Sequence, residues 1–178
     1  MNIVFMGTPS FAVPSLKALY EAGHEISLVL SQPDRPKGRG YLLSPTPVKQ
    51  TAEELMLPVY QPETLKDGEA QQRISLCKPD LIVVVAYGKI LPEPILHIPP
   101  LGCVNLHGSI LPKYRGAAPI QWSVLRGEPF VGNTTMYMDK GMDTGDIIYT
   151  EGSVPPEGET SSQRYERLAR EMCIRDSL

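Results

Sequence analysis

Asn105 and His107 stand two residues apart near the end of a short apolar run, Gly102-Cys103-Val104-Asn105-Leu106-His107, which breaks at Gly108. In an extended chain, residues at i and i+2 leave the same face, so an amide and an imidazole are presented side by side. That pair suits carbonyl chemistry. The amide can donate to an oxygen that becomes negative, and the imidazole can move a proton. A polar strand end bonded to its neighbouring loops is the bland alternative, and two residues alone leave it open. A second segment favours the chemical reading: Asp139-Lys140-Gly141-Met142-Asp143-Thr144-Gly145-Asp146 is acidic, broken by glycine, and lies between two strand-like runs. A carboxylate from that loop would orient the imidazole and favour its charged form.

Presenting those groups requires a framework. The chain's 178 residues are enough for one domain with a full core and too few for two ordinary ones. Hydrophobic content of 42% with 21% charged residues is that of a globular protein, and the net charge of -3 argues against a general nucleic-acid binder. No apolar run reaches the roughly 20 residues needed to cross a bilayer, and no basic segment precedes the first strand. Cys77, Cys103 and Cys173 are odd in number and far apart, with no Cys-x-x-Cys pair, so neither a disulfide framework nor a zinc site is expected. The compartment expected from this cysteine usage is the cytoplasm.

Asn2-Ile3-Val4-Phe5-Met6 reads as a strand buried on both faces and ended by Gly7. Thr8-Pro9-Ser10 opens a helix with Phe11, Val13, Leu16, Leu19 and Tyr20 at helical spacing, and Gly23 stops it. Strand, helix and a second strand over Glu25 to Leu30 make a βαβ unit. The turn after the first strand has one glycine and lacks the G-x-G-x-x-G spacing of a dinucleotide site, so the fold is expected to be Rossmann-like without that cofactor. Residues 31–47 read as a long proline- and glycine-rich loop, locally basic through Arg35, Lys37 and Arg39 against Asp34. A solvated loop and a contact for a phosphate-bearing partner are both open. Further helices are expected from Pro47 to Leu57 (Val48, Ala52, Leu55 and Met56 inward), from Asp67 to Cys77, from Pro119 to Leu125 and from Ser161 to Met172. Leu81-Ile82-Val83-Val84-Val85-Ala86 is the clearest buried strand, with the exit Tyr87-Gly88-Lys89-Ile90-Leu91-Pro92 where a flat apolar ring could be held. Val131 to Met138, half exposed by its alternation, and Ile147 to Tyr149 read as later strands.

Three segments together resemble the folate-dependent formyltransferase family: Asn105-Leu106-His107-Gly108-Ser109-Ile110-Leu111-Pro112, Tyr114-Arg115-Gly116-Ala117-Ala118-Pro119-Ile120-Gln121-Trp122 and Met142-Asp143-Thr144-Gly145-Asp146. Phe5-Met6-Gly7-Thr8-Pro9, the loop Gln32-Pro33-Asp34-Arg35-Pro36-Lys37-Gly38-Arg39-Gly40 and Val83-Val84-Val85-Ala86-Tyr87-Gly88-Lys89-Ile90-Leu91-Pro92 resemble the branch that formylates methionyl initiator tRNA. The likeness spans residues 1–172. It implies an α/β, three-layer Rossmann-like domain with a mostly parallel central sheet, the formyltransferase fold.

It also implies an activity: transfer of a formyl group from 10-formyltetrahydrofolate to the α-amine of initiator methionyl-tRNA, in translation initiation, by a cytoplasmic monomer without a metal. By the same likeness Asn105, His107 and Asp143 are the catalytic residues. Ser109, Ile110, Leu111 and Pro112 contact the tetrahydrofolate, with Tyr87, Gly88, Ile90 and Leu91 walling the pterin pocket. The loop bearing Arg35, Lys37 and Arg39 binds tRNA. Asp139 and Asp146 read as turn residues or solvated carboxylates. Members of this branch carry a second, C-terminal β-barrel domain that helps bind tRNA, and nothing here corresponds to it. Residues 173–178 depart from the family pattern, as a truncated frame or foreign tail would. The rival expectations are a formyltransferase acting on a sugar nucleotide or other small amine, and an inactive truncated folate-binding module.

Overall fold

The protein is described by a computed structural model covering residues 1–37 and 42–171. Strand β1 (Asn2–Gly7) forms at the centre of a sheet because Ile3, Val4, Phe5 and Met6 are apolar without alternation, and all four are fully buried. It pairs in parallel with β2 (Glu25–Leu30) on one side and with β6 (Leu81–Val85) on the other. The seven-stranded sheet runs in the order β5-β2-β1-β6-β7-β8-β9, where β5 is Val59–Tyr60, β7 Cys103–His107, β8 Val131–Tyr137 and β9 Ile147–Ser153. The strands β5, β2, β1, β6 and β7 pair in parallel, and only β8 runs against them, pairing antiparallel with β7 and β9, so the expected mostly parallel sheet is present. Strand order reverses between β1 and β6. In open sheets of this kind the crevice beyond the strands' carboxyl ends at that reversal is where ligands bind.

Helices cover both faces. Against one pack α1 (Val13–Glu21), α2 (Pro47–Glu54) and α6 (Ser161–Glu171), around Ile3, Phe5, Val83, Val85, Val104 and Leu106. Against the other pack α3 (Glu69–Cys77) and α4 (Glu93–Leu96), around Val4, Met6, Ile82, Val84 and Cys103. Period-two alternation within each strand sorts the two sets. Gly7 ends β1 where the chain turns most tightly: a Cβ there would lie 2.8 Å from the Ala12 Cβ and 3.1 Å from the Val85 carbonyl oxygen. Only glycine lets the first turn come that close to the sheet.

Several boundaries differ from the sequence reading. Ser10–Ala12 is a 3₁₀ turn and α1 begins at Val13, with Pro14 in its first turn where a missing N–H costs nothing. Tyr20, expected inward, is exposed. Met56 is not a core residue. It takes φ 57°, ends α2 and is 89% exposed. The stretch read as a structureless loop holds a hairpin, β3 (Arg35–Lys37) paired antiparallel with β4 (Leu42–Ser44). Strand β9 runs four residues past Tyr149 and forms the sheet's margin. In β8, alternation appears only at its end, because Val131 to Thr134 are covered on both faces.

Helix α6 is fastened by charge. The Glu159 side chain is 4% exposed and accepts from Arg164 Nε at 2.9 Å and Arg167 Nε at 2.6 Å. Arg164, itself buried, also donates to Ser123 Oγ of α5 (Pro119–Leu125) at 3.0 Å. These contacts hold the Glu159 carboxyl below its ordinary value, the Arg167 hydrogen bond being the largest cause.

Candidate functional site

Asn105 and His107 lie on β7 and face the same side, as their spacing requires. Asn105 is in register with Val84 on one neighbour and Met136 on the other, and His107 with Thr134. The loop after β8 folds back over this face and delivers Asp143. Its carboxylate accepts from Asn105 Nδ2 at 3.3 Å through one oxygen and from the Gly116 backbone N–H at 2.7 Å through the other. The second oxygen also stands 3.6 Å from His107 Nδ1. The amide, the imidazole and the carboxylate therefore do converge, and the His107 and Asp143 side chains are only 7% and 14% exposed.

The other imidazole nitrogen, Nε2, lies 2.9 Å from the Tyr114 carbonyl oxygen. A carbonyl only accepts, so Nε2 carries a proton and donates to it. Both ring nitrogens thus face an acceptor. The Asp143 contact, at 3.6 Å, exceeds hydrogen-bond length and is the looser of the two.

The loop carrying Asp143 is built by its own short polar groups. Asp139 accepts from the Gly141 N–H at 2.8 Å and the Thr144 hydroxyl at 2.7 Å, which lower its pKa, the Thr144 bond foremost. It is a turn residue, as expected. Asp143 itself takes φ 53°, a conformation that Asp tolerates better than most residues. Gly145 passes so close to β8 that a Cβ would fall 2.0 Å from the Tyr137 carbonyl oxygen.

Asn105, His107 and Asp143 open on a cavity of about 690 Å³, within the range of sites for drug-sized ligands. Its walls come from both helical layers. Val84, Tyr87 and Leu91 belong to one core cluster, and Phe11, Leu106 and Ile120 to the other. The hollow consequently wraps around the carboxyl end of β7. Gly88 and Ile90 complete the apolar side with Met136 and Met138, and Ile90 is 76% exposed, presented to the cavity rather than packed away. Tyr87 is turned into the core, where burial raises its phenol to about 12. Its carbonyl ties two loops by accepting from Thr8 Oγ1 and Gln32 Nε2.

Ser109, Ile110, Leu111 and Pro112, expected to touch the folate, do not line this cavity. Ser109 Oγ donates to the Lys113 carbonyl at 2.7 Å, Ile110 lies against Gly152 of β9, and the Leu111 N–H donates to Thr134 Oγ1 at 3.1 Å. A cis peptide joins Leu111 to Pro112. They shape the turn that carries Tyr114 and Gly116 back to the site.

Sequence reasoning missed those last two groups, because both act through backbone atoms that no side-chain pattern reveals. It also missed Met136, Met138 and Tyr165 as cavity walls. Tyr165 reaches the site from α6, where its ring stands 5.0 Å from that of Phe11 and its hydroxyl accepts from the Phe11 N–H.

Of the basic hairpin, Arg35 is exposed on β3, Lys37 lies on the same strand, and Arg39 falls outside the described residues. The base of this pair of strands is tied to α2 and to the residue that follows β5. Asp34 accepts from Lys49 Nζ and, at 2.7 Å, from Gln61 Nε2, contacts that hold its carboxyl below the usual value, Gln61 foremost. Among the described residues no cluster of three His, Cys, Asp or Glu could hold a metal, and no helix is long and apolar enough to cross a membrane.

A family model described as formyl transferase matches residues 1–172. A methionyl-tRNA formyltransferase of Pelotomaculum thermopropionicum is 54% identical over 169 residues, 95% of this chain and 54% of that protein. One from Moorella thermoacetica is 55% identical over 170 residues, covering 95% and 54%. The chain therefore spans about half the length of the curated relatives it matches. Among solved structures, phosphoribosylglycinamide formyltransferase from Bacillus halodurans aligns with TM-score 0.81 at 20% identity, covering 99% of this chain and 92% of the other. Glycinamide ribonucleotide transformylase 1 from Symbiobacterium toebii gives 0.80 at 19%, covering 99% and 84%. At these identities the likeness shows the fold.

Proposed function

Since the chain belongs to the formyl transferase family, we propose that it forms the catalytic half of an enzyme moving a formyl group from 10-formyltetrahydrofolate to the amine of initiator methionyl-tRNA, in the cytoplasm. The observation that carries this reading is the convergence of Asn105, His107 and Asp143 on one cavity with an apolar side and a polar end. The substrate assignment follows the relatives at 54–55% identity. The apolar side, from Val84 to Leu91 with Met136 and Met138, offers a surface for a flat pterin ring, and Asn105, His107 and Asp143 supply the polar groups a transferring formyl carbon needs.

The donor supplies an activated formyl group on nitrogen, and the incoming amine attacks its carbon. An amide NH₂ has two donors. Asn105 spends one on Asp143 and keeps the other for the oxygen that becomes negative as the carbon turns tetrahedral. His107 carries the proton from the amine toward the departing nitrogen. Nδ1 is the freer nitrogen for that task, while the Tyr114 carbonyl fixes the ring by Nε2. Asp143 holds the amide donor in place and balances charge on the ring. No side chain is required as a nucleophile.

The test is formyl transfer to charged initiator tRNA, measured beside a small primary amine at equal concentration. Transfer to the tRNA is expected, and replacing Arg35, Lys37 and Arg39 with alanine should depress it while sparing the small amine. Transfer to the small amine alone would move the assignment to a small-molecule formyltransferase. Folate binding without turnover on either acceptor would make the chain a binding module.

A further inference from the structure

One surface cluster is used neither by the core nor by the proposed chemistry. The Arg126 guanidinium stands 5.8 Å from the ring centroids of both Tyr114 and Trp122, within cation–π range of each. Trp122 is 47% exposed, Arg126 is exposed beside it, and Arg115, next to Tyr114 in the chain, is exposed as well. The only acid in the group, Glu128, is already engaged, by Lys113 Nζ at 3.0 Å and the Tyr114 hydroxyl at 2.6 Å. Lys113, Arg115 and Arg126 against Glu128 leave a local excess of two positive charges on a chain whose net charge is -3. The cluster borders the cavity. Its loop supplies Gly116, Ala117 and Ala118 to the wall, and α5 supplies Pro119, Ile120 and Gln121.

Flat rings interleaved with cations at the mouth of a site are what a single-stranded nucleic acid recognises: bases stack on the rings and phosphates meet the charges. We propose that Tyr114, Trp122 and Arg126 form a platform for single-stranded RNA, on which the unpaired nucleotides of the acceptor lie as its aminoacyl end enters the cavity. This rests on the tRNA reading above and adds a second contact to it, separate from the basic hairpin. The platform discriminates by strandedness, because paired bases hide the faces that would stack.

Trp122 is the only tryptophan of the chain, so its emission reports the contact directly. Titration with a six-nucleotide single-stranded RNA ending in CCA should quench it saturably, and a duplex of equal length should not. Arg126→Glu should weaken that binding by about tenfold or more, in line with the loss expected per stacked base. In turnover, Trp122→Ala and Arg126→Glu should each raise KM for methionyl-tRNA by about tenfold with kcat unchanged. Unaltered emission at saturating RNA would overturn the platform. So would wild-type KM in both variants while the enzyme still formylates tRNA. Failure of the unsubstituted protein to formylate tRNA would instead overturn the assigned reaction, since the emission measurement needs no turnover.

Discussion

Asn105→Ala is expected to slow formyl transfer by about 10²–10³-fold, the loss typical when one donor to a developing oxyanion is removed. The size follows from the placement of the amide, next to Val84 and Met136 at the edge of an apolar hollow, where a hydrogen bond is stronger than in water. KM for the folate should change little, because the apolar side that would hold the ring is left intact. Asp143→Asn should produce a similar loss for a different reason. An asparagine tolerates the left-handed backbone at this position and can still accept from Gly116, so the loop keeps its course. Its new NH₂, however, faces the Asn105 NH₂, donor against donor. Single-turnover rates with folded protein decide the matter, and near-normal rates for both variants would remove the amide and the carboxylate from the mechanism.

Glu159→Ala should cost about 3–5 kcal/mol of stability, read from urea denaturation, because it strands buried cations. Glu159 is the shared acceptor of two arginines, and one of them, Arg164, is as buried as the carboxylate it loses. Arg164→Met should cost less, since Arg167 would still neutralise Glu159. The pH dependence has a definite sign. The Glu159 carboxyl is depressed in the folded protein relative to its ordinary value of 4.5. The stability it contributes is therefore complete above 4.5 and is lost as pH falls through the lower folded value. Activity should fall with it, as α6 carries Tyr165 into the cavity wall. Equal stability of Glu159→Ala and the parent at pH 7 would contradict the account.

The face that bears Asn105 and His107 was legible in the sequence because a strand has a period of two. Asn105 and His107 could only point together, and an unbroken β-branched run such as Leu81 to Val85 could only be an interior strand. Asp143 was singled out by resemblance, since nothing in its loop distinguishes it from Asp139 or Asp146 before the chain is folded. The pairing of β3 with β4 escaped notice because Pro36 and the glycines break any alternation; it rests on the backbone ladder, and Lys49 and Gln61 grip Asp34 just before β3. Met56 misled for a related reason. Helical spacing continues through it, but the backbone has already turned left-handed. Ser109 to Pro112 were placed by the family pattern, and the bonds Ser109 and Leu111 make to Lys113 and Thr134 set the course of their turn.

Cys103 sits on β7 two residues before Asn105, 1% exposed, its thiol raised to about 12 by burial. A thiol so placed yields almost no thiolate at neutral pH and is shielded from alkylating reagents. It can be labelled only when the middle of the sheet separates, so pulse-labelling at this position acts as a clock for global opening, whereas Cys77, partly exposed at the end of α3, should react in the native protein. Rapid modification of Cys103 under native conditions would mean that the strand presenting Asn105 and His107 breathes on its own.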